Sequence, residues 1–364
     1  MCDFYRKTWY EVDLDNLASN AGRLREIHAD KTLIAVVKAD AYGHGAVKVV
    51  KRLRQEGIEF FAVSLLEEAL ELRAAFSDVT ILMMGVLMPE NLNLVAKHDI
   101  VFTLSDYKLF EAVKVFSGKL RFHLKFDSGM NRLGFKDIND FNLVYETFES
   151  NPSKHIEGVY SHLATSDGDE AYVNTQYKRF IKAINSLPNQ PNIIHLSNTS
   201  AWLKHESIFD GFTHARVGIG LYGYTLESVD YGLTPIGTLK TIVSQIKTLA
   251  PGELLGYGIT FQAESLTRIA ILPIGYADGW IRKHKGHTVL IKGKPYPIVG
   301  NVCMDQLFVK IDDTVKLDDE VILMGPGKLD ADVIAQHLKT ISYEVLCSIS
   351  NRVPRLYIEK EAKT

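Results

Sequence analysis

No Cys-x-x-Cys pair joins the three cysteines, Cys2, Cys303 and Cys347, which are scattered through 364 residues. Neither a disulfide framework nor a cysteine-built zinc site is expected, no metal is called for, and a reducing compartment fits best. No run reaches the roughly 18 apolar residues of a membrane-spanning helix. The N-terminus, MCDFYRKTWYEVDLD, is charged throughout and lacks the apolar core of a signal peptide. The expected setting is therefore cytoplasmic, either as this chain or as the cytoplasmic domain of a longer, membrane-tethered one. Blocks of like charge are missing too. With 41 basic and 44 acidic residues the formal net charge is -3, which leaves no electrostatic footprint for nucleic acid. Repeats at solenoid period and low-complexity linkers are absent. What remains is a chain 46% hydrophobic and 23% charged, apolar enough for two cores and suited to a small neutral or zwitterionic ligand.

From Leu33 onward, short apolar runs alternate with stretches of helical spacing. The runs are LIAVVKA, FFAVS, TILMMG, IVFTL, LRFHLKFD, IEGVYSHLA, NIIHLSN and HARVGIGLYG, separated by segments such as LLEEALELRAAF and SDYKLFEAVKVF. Eight strands alternating with helices over roughly 200 residues predict a parallel (β/α)8 barrel. After Tyr231 the pattern changes to β-branched runs split by Gly and Pro turns, with one helix-like insert, ADVIAQHLK. The expected organisation is a barrel over residues 10–232 and a mainly β domain over 233–364, which residues 1–9 could join.

In such a barrel the active site lies at the C-terminal ends of the strands. There the apolar runs give way to Lys38 after the first strand, Asp127 and Arg132 after the fifth, and His162 after the sixth. Asn198 and Thr199 follow the seventh, and Arg216 lies within the eighth. Taken singly, each reads as a surface residue just past a strand, or, for His162, as a satisfied core histidine. Together they converge on one mouth. An amine in a partly dry mouth has its pKa lowered, which suits a Schiff base or a general base. Gly218 and Gly220, in RVGIGLYG, can offer backbone N–H groups where barrels of this type often bind phosphate. A lysine beside a phosphate cradle points to pyridoxal phosphate.

VVKADAYGHGA resembles the cofactor-attachment motif of the alanine racemase family. LKFDSGMNRLGF, GVYSHLATSD, HLSNTSA, RVGIGLYG, LGYGITF, GNVCMDQ and SNRVPR resemble that family's later motifs in the same order, over essentially the whole chain. The resemblance implies that Lys38 holds the cofactor as an internal aldimine and is the base on one face of the substrate. Tyr257 is then the base on the other face, contributed by a partner subunit of a homodimer with composite active sites. Arg216 faces the pyridine nitrogen. A guanidinium does not give up its proton, so the ring stays unprotonated and is a weaker electron sink. His162 links this arginine towards the tyrosine. Tyr42, Asn198, Thr199 and the backbone of Gly218 and Ile219 match cofactor contacts. Arg132 matches an arginine near the substrate carboxylate, whose planar fork suits it, and Met304, flanked by Cys303 and Asp305, matches a partner-subunit contact to substrate. Lys125 matches a lysine that is carbamylated in many family members, with a plain structural lysine as the alternative.

One position departs from the pattern: Asn351 stands where the family's alanine racemases usually carry a tyrosine. A carboxamide opens volume and adds a donor and an acceptor, so the pocket could take the hydroxymethyl group of serine. The serine racemase domains of vancomycin-resistance operons resemble this pattern, whereas a neutral replacement is the bland alternative. The implied reaction is racemisation of alanine, serine or both, supplying D-amino acid for peptidoglycan precursors. Three other readings compete. Gly218 to Gly223 fits a dinucleotide fingerprint, but it does not open a helix early in the fold. A non-catalytic pyridoxal phosphate carrier would lack the second domain, and a related decarboxylase would place an acidic residue where Arg216 stands.

Overall fold

The computed structural model describes residues 4–204, 211–227 and 229–359; Cys2 lies outside them. Strand β1, Thr8–Asp13, comes first. Eight parallel strands then close into a barrel in sequence order: β2 (Thr32–Val36), β3 (Phe60–Val63), β4 (Thr80–Met83), β5 (Val101–Leu104), β6 (Leu120–Lys125), β7 (Lys154–Tyr160), β8 (Ile193–His195) and β9 (His214–Val217). All eight coincide with the expected runs. Most of their residues are apolar, because barrel strands are covered inside by packed side chains and outside by helices; β6, β8 and β9 carry buried His123, Lys125, His195 and Arg216 as exceptions. Pairing of β2 with β9, Thr32 opposite His214, closes the ring. Four helices of the barrel domain start at carboxylate caps: Asp13, Asp106, Asp137 and Asp169 each accept from a backbone N–H within the first turn.

The second domain is a nine-stranded sheet. Its strands are β10 (Gly237–Ile242), β11 (Gln245–Leu249), β14 (Thr267–Leu272), β15 (Thr288–Ile291), β16 (Lys294–Val299), β17 (Leu307–Ile311), β18 (Glu320–Met324) and β19 (Arg355–Ile358), together with β1. A small hairpin of β12 (Leu254–Leu255) and β13 (Phe261–Gln262) stands apart. β1 pairs antiparallel with β10 from Thr8 to Val12 and parallel with β19 from Tyr10 to Asp13. The boundary expected between residues 9 and 10 thus falls inside a strand of the β sheet. Two helices, Ala331–Leu338 and Ser342–Cys347, cover this domain where the sequence showed one. Among the described residues no helix is long and apolar enough to cross a membrane, and no cluster of His, Cys, Asp or Glu could hold a metal.

Candidate functional site

A cavity of about 500 Å³ opens at the C-terminal ends of the barrel strands. Lys38, Tyr42, Lys125, Arg132, His162, Asn198, Thr199, Arg216, Gly218 and Ile219, all expected from the sequence, line it. Tyr160 and Tyr343 line it as well and were not foreseen. Tyr160 ends an apolar strand and reads as core. Tyr343 sits on the helix Ser342–Cys347 of the other domain, and nothing local in the sequence brings that helix to the barrel.

Lys38 lies two residues past the end of β2 and begins an uncommon turn. Four consecutive non-glycine residues, Ala39, Asp40, Ala41 and Tyr42, have φ between 52° and 54°. Left-handed backbone costs such residues roughly 1–2 kcal/mol each, so the surroundings must hold it. They do so through hydrogen bonds. Glu68 accepts from the Ala39 amide at 2.7 Å, and Asp40 accepts from the Ala46 amide at 2.7 Å. His44, fully buried, donates from Nδ1 to the Ala41 carbonyl at 2.8 Å, so its Nε2 accepts from the Tyr10 hydroxyl at 3.0 Å. Tyr10 belongs to β1, so the second domain's sheet clamps the turn that carries Lys38. The turn presents Tyr42 to Gly218, where a Cβ would lie 2.5 Å from the phenol oxygen; only glycine fits this approach. Thr199 accepts through its hydroxyl from the amides of Gly218 and Gly220 at 3.1 and 3.4 Å. Its own O–H is therefore the group that remains to donate into the cavity.

Four basic side chains, Lys38, Lys125, Arg132 and Arg216, face this space. Burial first, and then Arg132, pulls the Lys38 amine below its ordinary value. Burial, Arg216 and Arg132 push Lys125 down to about 7. Arg216, 3% exposed, is pulled down to about 10 by burial and remains a cation at neutral pH. It donates to the carbonyls of Ser161 at 2.8 Å and Leu196 at 2.9 Å, and to Nδ1 of His162 at 3.1 Å. Because guanidinium has no acceptor, His162 must carry its proton on Nε2. Burial, reinforced by Arg216, keeps this imidazole neutral. Tyr160 forms the floor, its ring stacked on His195 at 4.7 Å with Arg216 and Lys125 each 5.0 Å from its centre. Asp127 does not line the cavity. Its carboxylate accepts from the amides of Gly129 and Asn131 at 3.0 Å each and so folds the loop that carries Arg132.

Tyr257, Cys303, Met304 and Asp305 lie elsewhere. With Gly256, Tyr276, Gln306 and Phe308 they line a second cavity, of about 770 Å³, in the β domain. Tyr257 is 74% exposed and Met304 53%. The face is nevertheless well braced. Asn301 donates to the Tyr257 carbonyl at 2.8 Å, and the amides of Tyr276 and Ala277 bond the carbonyls of Cys303 and Met304 at 3.0 Å. Arg352 ties Asp305 at 2.7 Å and approaches the buried Asp278 at 3.6 Å. Asn351 is exposed in the adjoining turn and lines neither cavity.

The fit of the barrel cavity to pyridoxal phosphate can be judged from its donors. Its lining holds no Asp or Glu; it offers a desolvated amine, a spare hydroxyl beside a glycine cradle, and a buried guanidinium bonded to imidazole nitrogens and backbone carbonyls. These suit an aldehyde, a phosphate and an unprotonated ring nitrogen in turn.

Comparison with known proteins agrees. Residues 12–226 match the family described as alanine racemase, N-terminal domain, and residues 236–357 match alanine racemase, C-terminal domain. The chain is 39% identical to alanine racemase 1 of Bacillus subtilis, over 98% of this chain and 94% of that protein. It is 38% identical to the alanine racemase of Geobacillus stearothermophilus, over 98% and 95%. Among solved structures it is similar to the alanine racemase of Bacillus anthracis with bound L-Ala-P, with a TM-score of 0.93 and 35% identity covering 99% and 97% of the two chains. The alanine racemase of E. faecalis aligns with a TM-score of 0.93 and 34% identity, covering 98% and 99%.

Proposed function

This chain belongs to the alanine racemase family, and from that premise we propose how its residues divide the work of interconverting L- and D-alanine. The observation that carries the reading is Lys38, an amine kept partly desolvated by a strained turn at the mouth of a barrel cavity that also holds Arg216. Pyridoxal phosphate, the family's cofactor, supplies an aldehyde that condenses with an amine and a conjugated ring that acidifies the α-hydrogen of the bound amino acid. Lys38 would hold it. Tyr42, Thr199 and the amides of Gly218 and Ile219 would take its phosphate, and Arg216 its ring nitrogen.

Arg132 orients the substrate carboxylate through its planar fork. The Lys38 amine, neutral more readily than an ordinary lysine, takes the α-proton on one face or returns it there. The Tyr257 hydroxyl does the same on the other face, helped by the Nε2–H of His162. Racemisation needs both, because a single base would return the proton to the side it came from. Tyr257 and Lys38 open onto separate cavities of one chain. We therefore read the enzyme as a homodimer in which each β domain caps its partner's barrel. Exposed Tyr257, Ile259, Met304 and Tyr276 on one face, and Leu65, Val86 and Met88 near the barrel cavity, support that burial. Lys125 is poised for carbamylation: half neutral near pH 7, it could add carbon dioxide and place an anion between Arg132 and Arg216. Free Cys303 and Cys347 support a reducing, cytoplasmic setting.

Initial rates on L-alanine and L-serine, read by chiral separation with added pyridoxal phosphate, test the reading. D-alanine formation is expected. Asn351 lies outside the barrel cavity, so alanine should be turned over faster than serine; comparable serine turnover would return Asn351 to the substrate pocket. Turnover of neither would leave a non-catalytic cofactor carrier.

A further inference from the structure

Arg216 also bonds away from the cavity, down the barrel axis. It donates from a terminal nitrogen to Nδ1 of His195, and Nε2 of His195 meets Nδ1 of His123 at 2.8 Å. Nε2 of His123 lies 4.0 Å from Oε2 of Glu157, and both of those atoms are buried without another partner. Both imidazoles are fully buried. Since guanidinium only donates, the proton positions are forced: His195 accepts on Nδ1 and donates from Nε2, and His123 does the same one step further on. Every N–H then points from Arg216 towards a carboxylate on the opposite side of the barrel interior.

The far end is built, not incidental. Between β6 and β7, Phe122 pairs with Ile156 and His123 with Gly158, so Glu157 is the extra residue of a bulge, the device that re-aims a side chain. Gly158 makes room for the ring: a Cβ there would stand 3.0 Å from Cε1 of His123. The other oxygen of Glu157 is held by Arg121 at 2.7 Å, and Arg121 by Asp99 at 2.7 Å.

We propose that Glu157 is the remote anchor of the cofactor site, a positioning residue that terminates a buried two-histidine relay, fixes the tautomers of His195 and His123, and holds Arg216 as a pure donor. This rests on the reading of Arg216 as the group that would meet the cofactor's ring nitrogen. With an obligate donor at one end and a carboxylate at the other, the relay has one direction, and the guanidinium cannot swing from the ring nitrogen without breaking it.

The test is long-range 1H–15N correlation of histidine-labelled protein, with and without cofactor, assigned with His123→Asn and His195→Gln. Both imidazoles should show Nε2–H with bare Nδ1, unchanged across neutral pH; a proton on Nδ1 of either, or an imidazolium, overturns the relay. Glu157→Leu should weaken pyridoxal phosphate binding roughly 10- to 100-fold, the usual size when an outer partner that orients a binding group is lost, and alter the absorption of bound cofactor. Glu157→Gln, which keeps an acceptor, should restore most of both. Wild-type binding and absorption in Glu157→Leu would refute the anchor. Should that variant not fold, Glu157→Gln decides: the His123 Nε2–H resonance must move when its acceptor loses charge, and an unmoved resonance refutes the proposal. Because tautomers are read in cofactor-free protein, the relay stands or falls on these resonances even in a chain that fails to racemise.

Discussion

Replacing Lys125 by methionine should stabilise the cofactor-free protein, and by an amount that depends on pH. Lys125 is 5% exposed, and burial, then Arg216 and Arg132, push its amine from 10.5 down to about 7. A lysine whose folded pKa lies below its unfolded value binds fewer protons folded than unfolded between those two points. Stability therefore rises with pH through that window, and the charged amine opposes folding most strongly below it. At 1.36 kcal/mol per pKa unit the opposition is about 5 kcal/mol at low pH, about 4 kcal/mol at pH 7 and about 1 kcal/mol at pH 10. Methionine has a similar length and no charge, so Lys125→Met should gain about 3 kcal/mol more over wild type at pH 7 than at pH 10. Urea denaturation in carbonate-free buffer measures both differences. A gain that is equal at the two pH values would refute the assignment of a desolvated, cation-crowded amine. Bicarbonate should stabilise wild type and leave Lys125→Met unmoved if carbamylation turns this repulsion into attraction.

Other outcomes follow from the same geometry. Ala39 is exposed in left-handed backbone, so Ala39→Gly should stabilise by about 1 kcal/mol in thermal denaturation, the reverse of glycine in a right-handed helix. Gly218→Ala would drive a methyl against the Tyr42 oxygen at 2.5 Å and should weaken pyridoxal phosphate binding at least about tenfold by absorbance titration. Tyr257→Phe should keep the borohydride-reducible link to cofactor and lose racemisation by roughly 10² to 10⁴, whereas Lys38→Ala should lose the link itself.

The barrel is legible in the sequence because a strand buried on both faces is mostly apolar, and eight such runs are easily counted. Lys38, His162 and Arg216 are legible for the opposite reason, as polar residues where a strand end predicts apolar ones. What escapes depends on contacts distant in sequence. TWYEVD alternates like any half-buried strand, and only its pairing with β10 and β19 assigns it to the second sheet. Tyr343 enters the cavity because a helix of one domain abuts the other. The left-handed run from Ala39 to Tyr42 contradicts local propensity and exists because Tyr10, His44 and Glu68 hold it. Glu157 reads as an ordinary polar residue of a strand, and only a one-residue bulge turns it towards His123. Tyr257 is marked by its motif, whose resemblance assigns it to a partner subunit, and the structure adds that it and Lys38 open onto separate cavities of one chain.

The central claim is that Lys38 of one copy and Tyr257 of another complete each active site. The most direct test mixes inactive Lys38→Ala and Tyr257→Phe proteins, dissociates them and lets them reassociate. In a two-fold dimer half the molecules become hybrids with one intact site of two, so about a quarter of wild-type activity should return. A mixture that stays inactive while hybrids are demonstrated by mass spectrometry would contradict the composite site and place both groups within a single chain's chemistry.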